Sequence, residues 1–176
     1  MENKQNVERI YLVGFMGAGK TTFGKMLASK LGFDFVDTDQ LFEKKYKTTV
    51  DLFFKKYGEE LFRKLEREIL HLTFDMDKVV VATGGGTPCF YDNMEQIKRN
   101  GLSLYLKMAP KVLYDRLVHA KKVRPLVAEK SDEELLDYIK HKLSEREIFY
   151  KKSDYILSGL SLDIDFILDL IRRYPL

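Results

Sequence analysis

Gly14-Phe15-Met16-Gly17-Ala18-Gly19-Lys20-Thr21 is the stretch on which the fold turns. It fits the pattern G-x-x-x-x-G-K-[ST], a loop that wraps phosphate oxygens in its own backbone N–H groups. Glycine at positions 14 and 19 removes side chains that would block that approach or forbid the turn. Lys20 brings a point charge to the outer phosphates, Thr21 offers a hydroxyl to Mg²⁺, and a following helix adds the positive end of its dipole. The flanks are the required ones. An apolar run at 10–13 reads as the preceding strand, and helical spacing at 22–31, stopped by Gly32, reads as the following helix.

Outward from the loop, strand and helix alternate. Runs rich in β-branched and aromatic residues at 33–36, 79–82, 102–106 and 155–157 read as further buried strands. Residues 59–74 place Phe62, Leu65, Ile69 and Leu72 on one helical stripe, and residues 132–150 do the same with Leu136, Ile139 and Leu143. The pattern predicts a three-layer α/β/α domain with a five-stranded parallel sheet, helices covering both faces. No repeat or linker invites a division, so residues 1–176 are expected to form a single domain. In such sheets ligands sit at the carboxyl ends of the strands.

Composition excludes several classes. The charged fraction of 32% is nearly balanced, and a net charge of +3 is too small and dispersed to argue for nucleic acid. Lys44-Lys45 and Lys55-Lys56 read as solvated helix faces. Cys89 is the only cysteine, and His71, His119 and His141 have no partner at metal-ligand spacing, which argues against disulfide, zinc and redox chemistry. The longest apolar runs fall far short of the roughly 20 residues of a membrane span. The polar N-terminus does not resemble a signal peptide, so a soluble, cytoplasmic protein is expected.

Further candidate residues lie where the predicted strands end. Asp37-Thr38-Asp39 follows the second strand; two carboxylates there could serve Mg²⁺ and a hydroxyl nucleophile, or one, with Asp39 the better placed, could cap the next helix. The third strand ends without an acidic residue, which puts more weight on Asp37 as the metal-side carboxylate. It runs instead into Gly84-Gly85-Gly86, either bare backbone for a ligand or another segment to approach, or a flexible turn. Arg146 extends an apolar stripe and must meet an anion, from a ligand or from an ion pair. Arg63 has Glu59 and Glu66 at i−4 and i+3, and spacing alone makes it a surface pairing. The basic stretch from His119 to Leu126 reads as a solvated loop or as a lid.

Taken in order over essentially the whole chain, these motifs resemble shikimate kinases, with Gly58-Glu59-Glu60-Leu61-Phe62-Arg63-Lys64-Leu65-Glu66 and Arg124-Pro125-Leu126 completing the set. The resemblance implies transfer of the ATP γ-phosphoryl to the 3-hydroxyl of shikimate, on the route to aromatic amino acids, by a nucleoside-monophosphate-kinase-like fold. It implies that Gly14, Met16, Gly17, Ala18, Gly19, Lys20, Thr21 and Thr22 hold ATP, and that Thr21 and Asp37 serve one Mg²⁺. Asp39 would bind the 3-hydroxyl. Arg63 and Arg146 would clamp the carboxylate, which reverses the surface expectation for Arg63. Gly84, Gly85 and Gly86 would present backbone to shikimate, Glu66 would steady an arginine, and Val50, Phe54 and Phe62 would form an apolar wall. Arg116 is similar to an arginine that packs on adenine, and Arg124 to the arginine of a lid at about 117–130 that closes on both substrates. ATP and shikimate are the implied partners of a monomer. The alternative is another small-molecule kinase of this loop class, acting on gluconate or a nucleotide, which would have no use for two arginines on one carboxylate. A GTP-dependent switch is excluded, since neither Asn-Lys-x-Asp nor Asp-x-x-Gly occurs.

Overall fold

The computed structural model describes residues 7–120, 130–158 and 163–173. Five strands, β1 (Arg9–Val13), β2 (Asp34–Asp37), β3 (Val79–Ala82), β4 (Leu102–Lys107) and β5 (Tyr155–Ser158), form one parallel sheet in the order β2-β3-β1-β4-β5. All four residues of β3 are buried, because a parallel strand inside the sheet is covered on both faces. The order reverses at β1, with α1 (Lys20–Leu31) carrying the chain one way to β2. The later connections, through α2 (Thr38–Tyr46), α3 (Val50–Leu72), α4 (Asn93–Asn100), α5 (Pro110–Val118) and α6 (Asp132–Tyr150), carry it the other way. Right-handed crossovers then put helices on both faces and leave a crevice beyond the carboxyl end of β1.

Register decides what meets in that crevice. Leu12 pairs with Ala82 on one side and Leu104 on the other, and Asp37 pairs with Ala82. The phosphate loop, Asp37 and the glycine turn after β3 therefore leave the sheet at one level.

The observed elements refine three sequence expectations. First, α3 begins at Val50 and is broken at Gly58, whose φ of 82° and ψ of 171° are outside helical space. Its buried face carries Phe62, Ile69 and Leu70, while Leu72 is 48% exposed, since the stripe drifts as the helix passes the sheet. Second, Leu135 rather than Leu136 joins Ile139 and Leu143 in the core, so the stripe of α6 runs one residue earlier. Third, β2 stops at Asp37 and α2 starts at Thr38, so the N-cap is Asp37 and not Asp39. Asp37 Oδ1 accepts from the backbone N–H of Asp39 and of Gln40. A cap of this kind contributes about 1 kcal/mol.

The main core joins the sheet to α1, α4, α5, α6, α7 (Ile164–Arg173) and, through Leu70, the end of α3. A second cluster, Phe42, Phe53, Phe62 and Ile69, packs α2 against α3 away from the sheet. Among the described residues no helix is long and apolar enough to cross a membrane.

Candidate active site

The loop after β1 builds one side of the site. Gly14 has a φ of 142°, and a Cβ on it would lie 2.8 Å from the carbonyl oxygen of Leu106, so the chain turns there against the end of β4. Gly14 thus shapes the loop from below, and the residues from Met16 to Thr22 line the cavity above it, of about 590 Å³. Gly19, at a φ of 94°, ends the loop as the N-cap of α1. The first-turn N–H groups of that helix have no intrahelical acceptor and open on the same cavity. Lys20 Nζ donates to the carbonyls of Gly14 (2.7 Å) and Phe15 (2.9 Å), which lays the ammonium along the loop. Arg116, on α5, reaches across to the same loop and donates to the carbonyls of Gly17 and Ala18.

Asp37 divides its carboxylate between two tasks. Oδ1 caps α2, while Oδ2 accepts the Thr21 hydroxyl proton at 2.9 Å. Thr21 and Asp37 are thereby a pair of hard oxygen donors beside the phosphate loop, the type of donor Mg²⁺ takes. Among the described residues no group of three or more His, Cys, Asp or Glu could hold a metal alone. Asp39, in the first turn of α2, lines both this cavity and a second one. Because the chain has already become helical, Asp37 and Asp39 do not share one side of an extended strand, as two residues of spacing alone would suggest.

The second cavity, of about 620 Å³, is walled by Val50, Phe54 and Phe62 and carries Arg63, Glu66, Arg146 and the three glycines. Arg63 does pair with Glu59 and Glu66, but not at the surface. It is 8% exposed and Glu66 4% exposed, with Nη1 to Glu66 Oε2 at 2.7 Å and Nη2 to Glu59 Oε1 at 3.2 Å. Its guanidinium lies over the rings of Phe90, 4.2 Å from the centroid, and Phe62, at 5.0 Å. A Cβ on Gly86 would stand 2.6 Å from Arg63 Nη1, so glycine is needed for the guanidinium to lie on bare backbone. The adjacent Gly85 has Arg146 Nη1 3.7 Å from the place its Cβ would take. The two guanidinium groups thus converge on neighbouring glycines.

Arg146 differs from Arg63 in its partners. Among the described residues no carboxylate forms an ion pair with it; its contacts are the Tyr150 hydroxyl and the face of Phe15. Among the described residues, then, the anion its position on the stripe calls for is not an internal one. Tyr150, fully buried, donates to the Gly85 carbonyl at 2.5 Å and so fixes the peptide that follows. Burial raises its phenol well above the usual range. Cys89 stands beside both arginines; burial pushes its thiol up to about 11, and the two cations only partly offset this.

Several of these groups carried no sequence signal. Thr38, whose hydroxyl accepts the Gly84 N–H at 2.9 Å and ties the start of α2 to the turn after β3, is hidden between two more conspicuous aspartates. Phe90, Tyr150 and Thr87 look like core residues until the glycine turn is folded against them. Arg124 lies outside the described residues. α5 continues through Val118, with Leu117 buried under the loop, so the segment joining it to α6 starts at His119.

A phosphate loop opening a helix, at the switch point of a parallel sheet and beside a second cavity with cationic walls, defines a kinase of small molecules. A sequence model of shikimate kinases matches residues 16–168. The shikimate kinase of Phocaeicola vulgatus is 46% identical over 155 residues, covering 88% of this chain and 89% of that one. That of Bacteroides fragilis is 47% identical, covering 88% and 87%. Among solved structures, shikimate kinase from Bacteroides thetaiotaomicron superposes with a TM-score of 0.90 at 42% identity, over 94% of this chain and 98% of that one. The Acinetobacter baumannii enzyme in complex with shikimate gives 0.82 at 34%, over 94% and 93%. The chain belongs to the shikimate kinase family.

Proposed function

We propose that this protein transfers the γ-phosphoryl group of ATP to the 3-hydroxyl of shikimate, releasing ADP and shikimate 3-phosphate. The observation that carries the assignment is the junction of the two cavities. Met16, Asp39 and Gly85 line both, so a phosphate in one and a hydroxyl in the other meet at the Asp39 carboxylate. The phosphoryl group is loosely bonded in the transition state, so most of the work is positioning and charge. Lys20 and the N–H groups of residues 16–21 hold the phosphates. Thr21 and Asp37 fit the place of a Mg²⁺ that arrives with the nucleotide and, when bound, neutralises charge developing between the outer phosphates. Asp39 orients the 3-hydroxyl and accepts its proton as transfer completes. Arg63 and Arg146 take the carboxylate at the far end and fix the ring relative to Asp39. Val50, Phe54 and Phe62 cover its apolar face.

By the family resemblance, Arg116 packs on adenine and Arg124 closes with a lid that begins past α5. The same reading makes the enzyme a cytosolic, single-domain monomer acting on two small molecules, consistent with a surface of mixed charge. Coupled ADP release measured with shikimate, quinate, gluconate and nucleoside monophosphates tests it. Release far above the ATP-only rate with shikimate is expected, and a rate that shikimate leaves unchanged defeats it.

A further inference from the structure

Thr87 is completely buried, immediately after the glycine turn, and its place is fixed from every direction. Its N–H donates to the Gly84 carbonyl (3.1 Å), its carbonyl accepts from the buried Asn93 amide (2.8 Å), and its hydroxyl donates to Glu66 Oε1 (2.7 Å). Glu66 Oε2 is the oxygen that receives Arg63. The two carboxylate oxygens are thus assigned to separate donors, one from each side. A Cβ on Gly84 would stand 2.8 Å from both Thr87 Oγ1 and Asp39 Oδ1, and 2.9 Å from Glu66 Oε1. The hydroxyl, the carboxylate behind Arg63 and the carboxylate that lines both cavities therefore all face the same bare side of Gly84.

We infer that Thr87 is a positioning residue of the acceptor site, holding Glu66 so that Arg63 is aimed at the acceptor's anionic group. The inference rests on the assignment of the second cavity to shikimate. A buried carboxylate with one oxygen unmatched is costly and turns to find another donor. The other donor on Glu66 is Arg63, which would then be drawn into a two-oxygen grip and away from the cavity. Thr87 prevents this by occupying Oε1. A hydroxyl suits the task because it supplies a single proton and no charge, and so leaves the cationic balance of the cavity to the arginines.

The test is steady-state kinetics on the wild type, Thr87→Val, Thr87→Ala and Thr87→Ser, with thermal melts of each. Loss of one hydrogen bond to a charged group corresponds to about a tenfold rise in KM for shikimate. The KM for ATP should stay within about twofold, since nothing in the nucleotide cavity changes, and Thr87→Ser, which keeps the donor, should restore most of the shikimate KM. Either folded variant lacking the hydroxyl carries the test. Shikimate-dependent turnover with an unchanged shikimate KM, or equal rises for both substrates, overturns the inference alone. If both hydroxyl-free variants lose the fold while Thr87→Ser keeps it, Thr87 is a structural pin and the inference is overturned. A wild type without shikimate-dependent turnover removes the acceptor assignment, and the inference with it.

Discussion

The nucleotide cavity and the acceptor cavity are alike in size, about 590 and 620 Å³, and are built in opposite ways. Half of the first's lining is one run of eight consecutive residues, 16–23, whose backbone N–H groups are proposed to do the binding. The second is assembled from α2, α3, the turn after β3 and α6, and its decisive groups are side chains held by other side chains. A backbone site is specified locally and tolerates its surroundings. A side-chain site depends on every support being present, so substitutions in the two cavities should fail differently.

The sharpest challenge to that contrast is Asp39, which belongs to both. Asp39→Asn should lower kcat by roughly 10² to 10⁴, the lower end being favoured because a loose transition state needs little base assistance. Added Mg²⁺ should not restore it. A variant with full activity would mean that the shared wall is only a helix turn.

Next come the two arginines. Arg146→Ala removes a guanidinium that no internal carboxylate pairs with among the described residues, so it should weaken shikimate binding by about 10- to 100-fold with melting and ATP affinity nearly unchanged. Arg63→Ala should cost binding and, in addition, about 3 kcal/mol or more of stability, because it strands the buried Glu66 carboxylate. Calorimetry and melts on both variants separate the cases, and equal stability losses would erase the distinction.

Asp37→Asn is a smaller change, because asparagine caps a helix as well as aspartate does. The fold should persist while the Mg²⁺ concentration for half-maximal rate rises several-fold, with excess metal recovering part of kcat. The reverse pattern, rescue of Asp39→Asn and not of Asp37→Asn, would exchange the two roles. The smallest effect belongs to Cys89. With its thiol raised to about 11, only about one molecule in a thousand carries the thiolate at pH 8, so alkylation should be far slower than for glutathione. Rapid labelling at pH 8 would show that the two guanidinium groups, not burial, govern that wall of the cavity.

The same contrast explains what the sequence could reveal. The phosphate loop was legible because spacing, glycines, strand and helix are all local. The sheet was legible because each strand is a short apolar run bounded by turns. Arg63 looked like a surface residue because an i−4, i+3 pair of glutamates is the same in water as in a core, and what buries it, Gly86 and Phe90, comes from another part of the chain. Asp39 looked the better-placed cap because Asp37, Thr38 and Asp39 are all good capping residues, and only the register of β2 against β3 decides where the strand stops. Thr87 was invisible, since a threonine after three glycines has no pattern of its own.

Gly58 breaks α3 in the middle of one aromatic cluster. The half before it rests with α2 on Phe42 and Phe53, a cluster that continues into the second half through Phe62 and Ile69 but does not reach the sheet. Opening this corner requires no strand to leave its neighbours. Its amide protons should exchange with solvent as one cooperative group, at a lower free energy than those of β1, β3 and β4. Asp39 and Val50 lie in this corner, so the wall of the proposed acceptor cavity should slacken before the phosphate loop does.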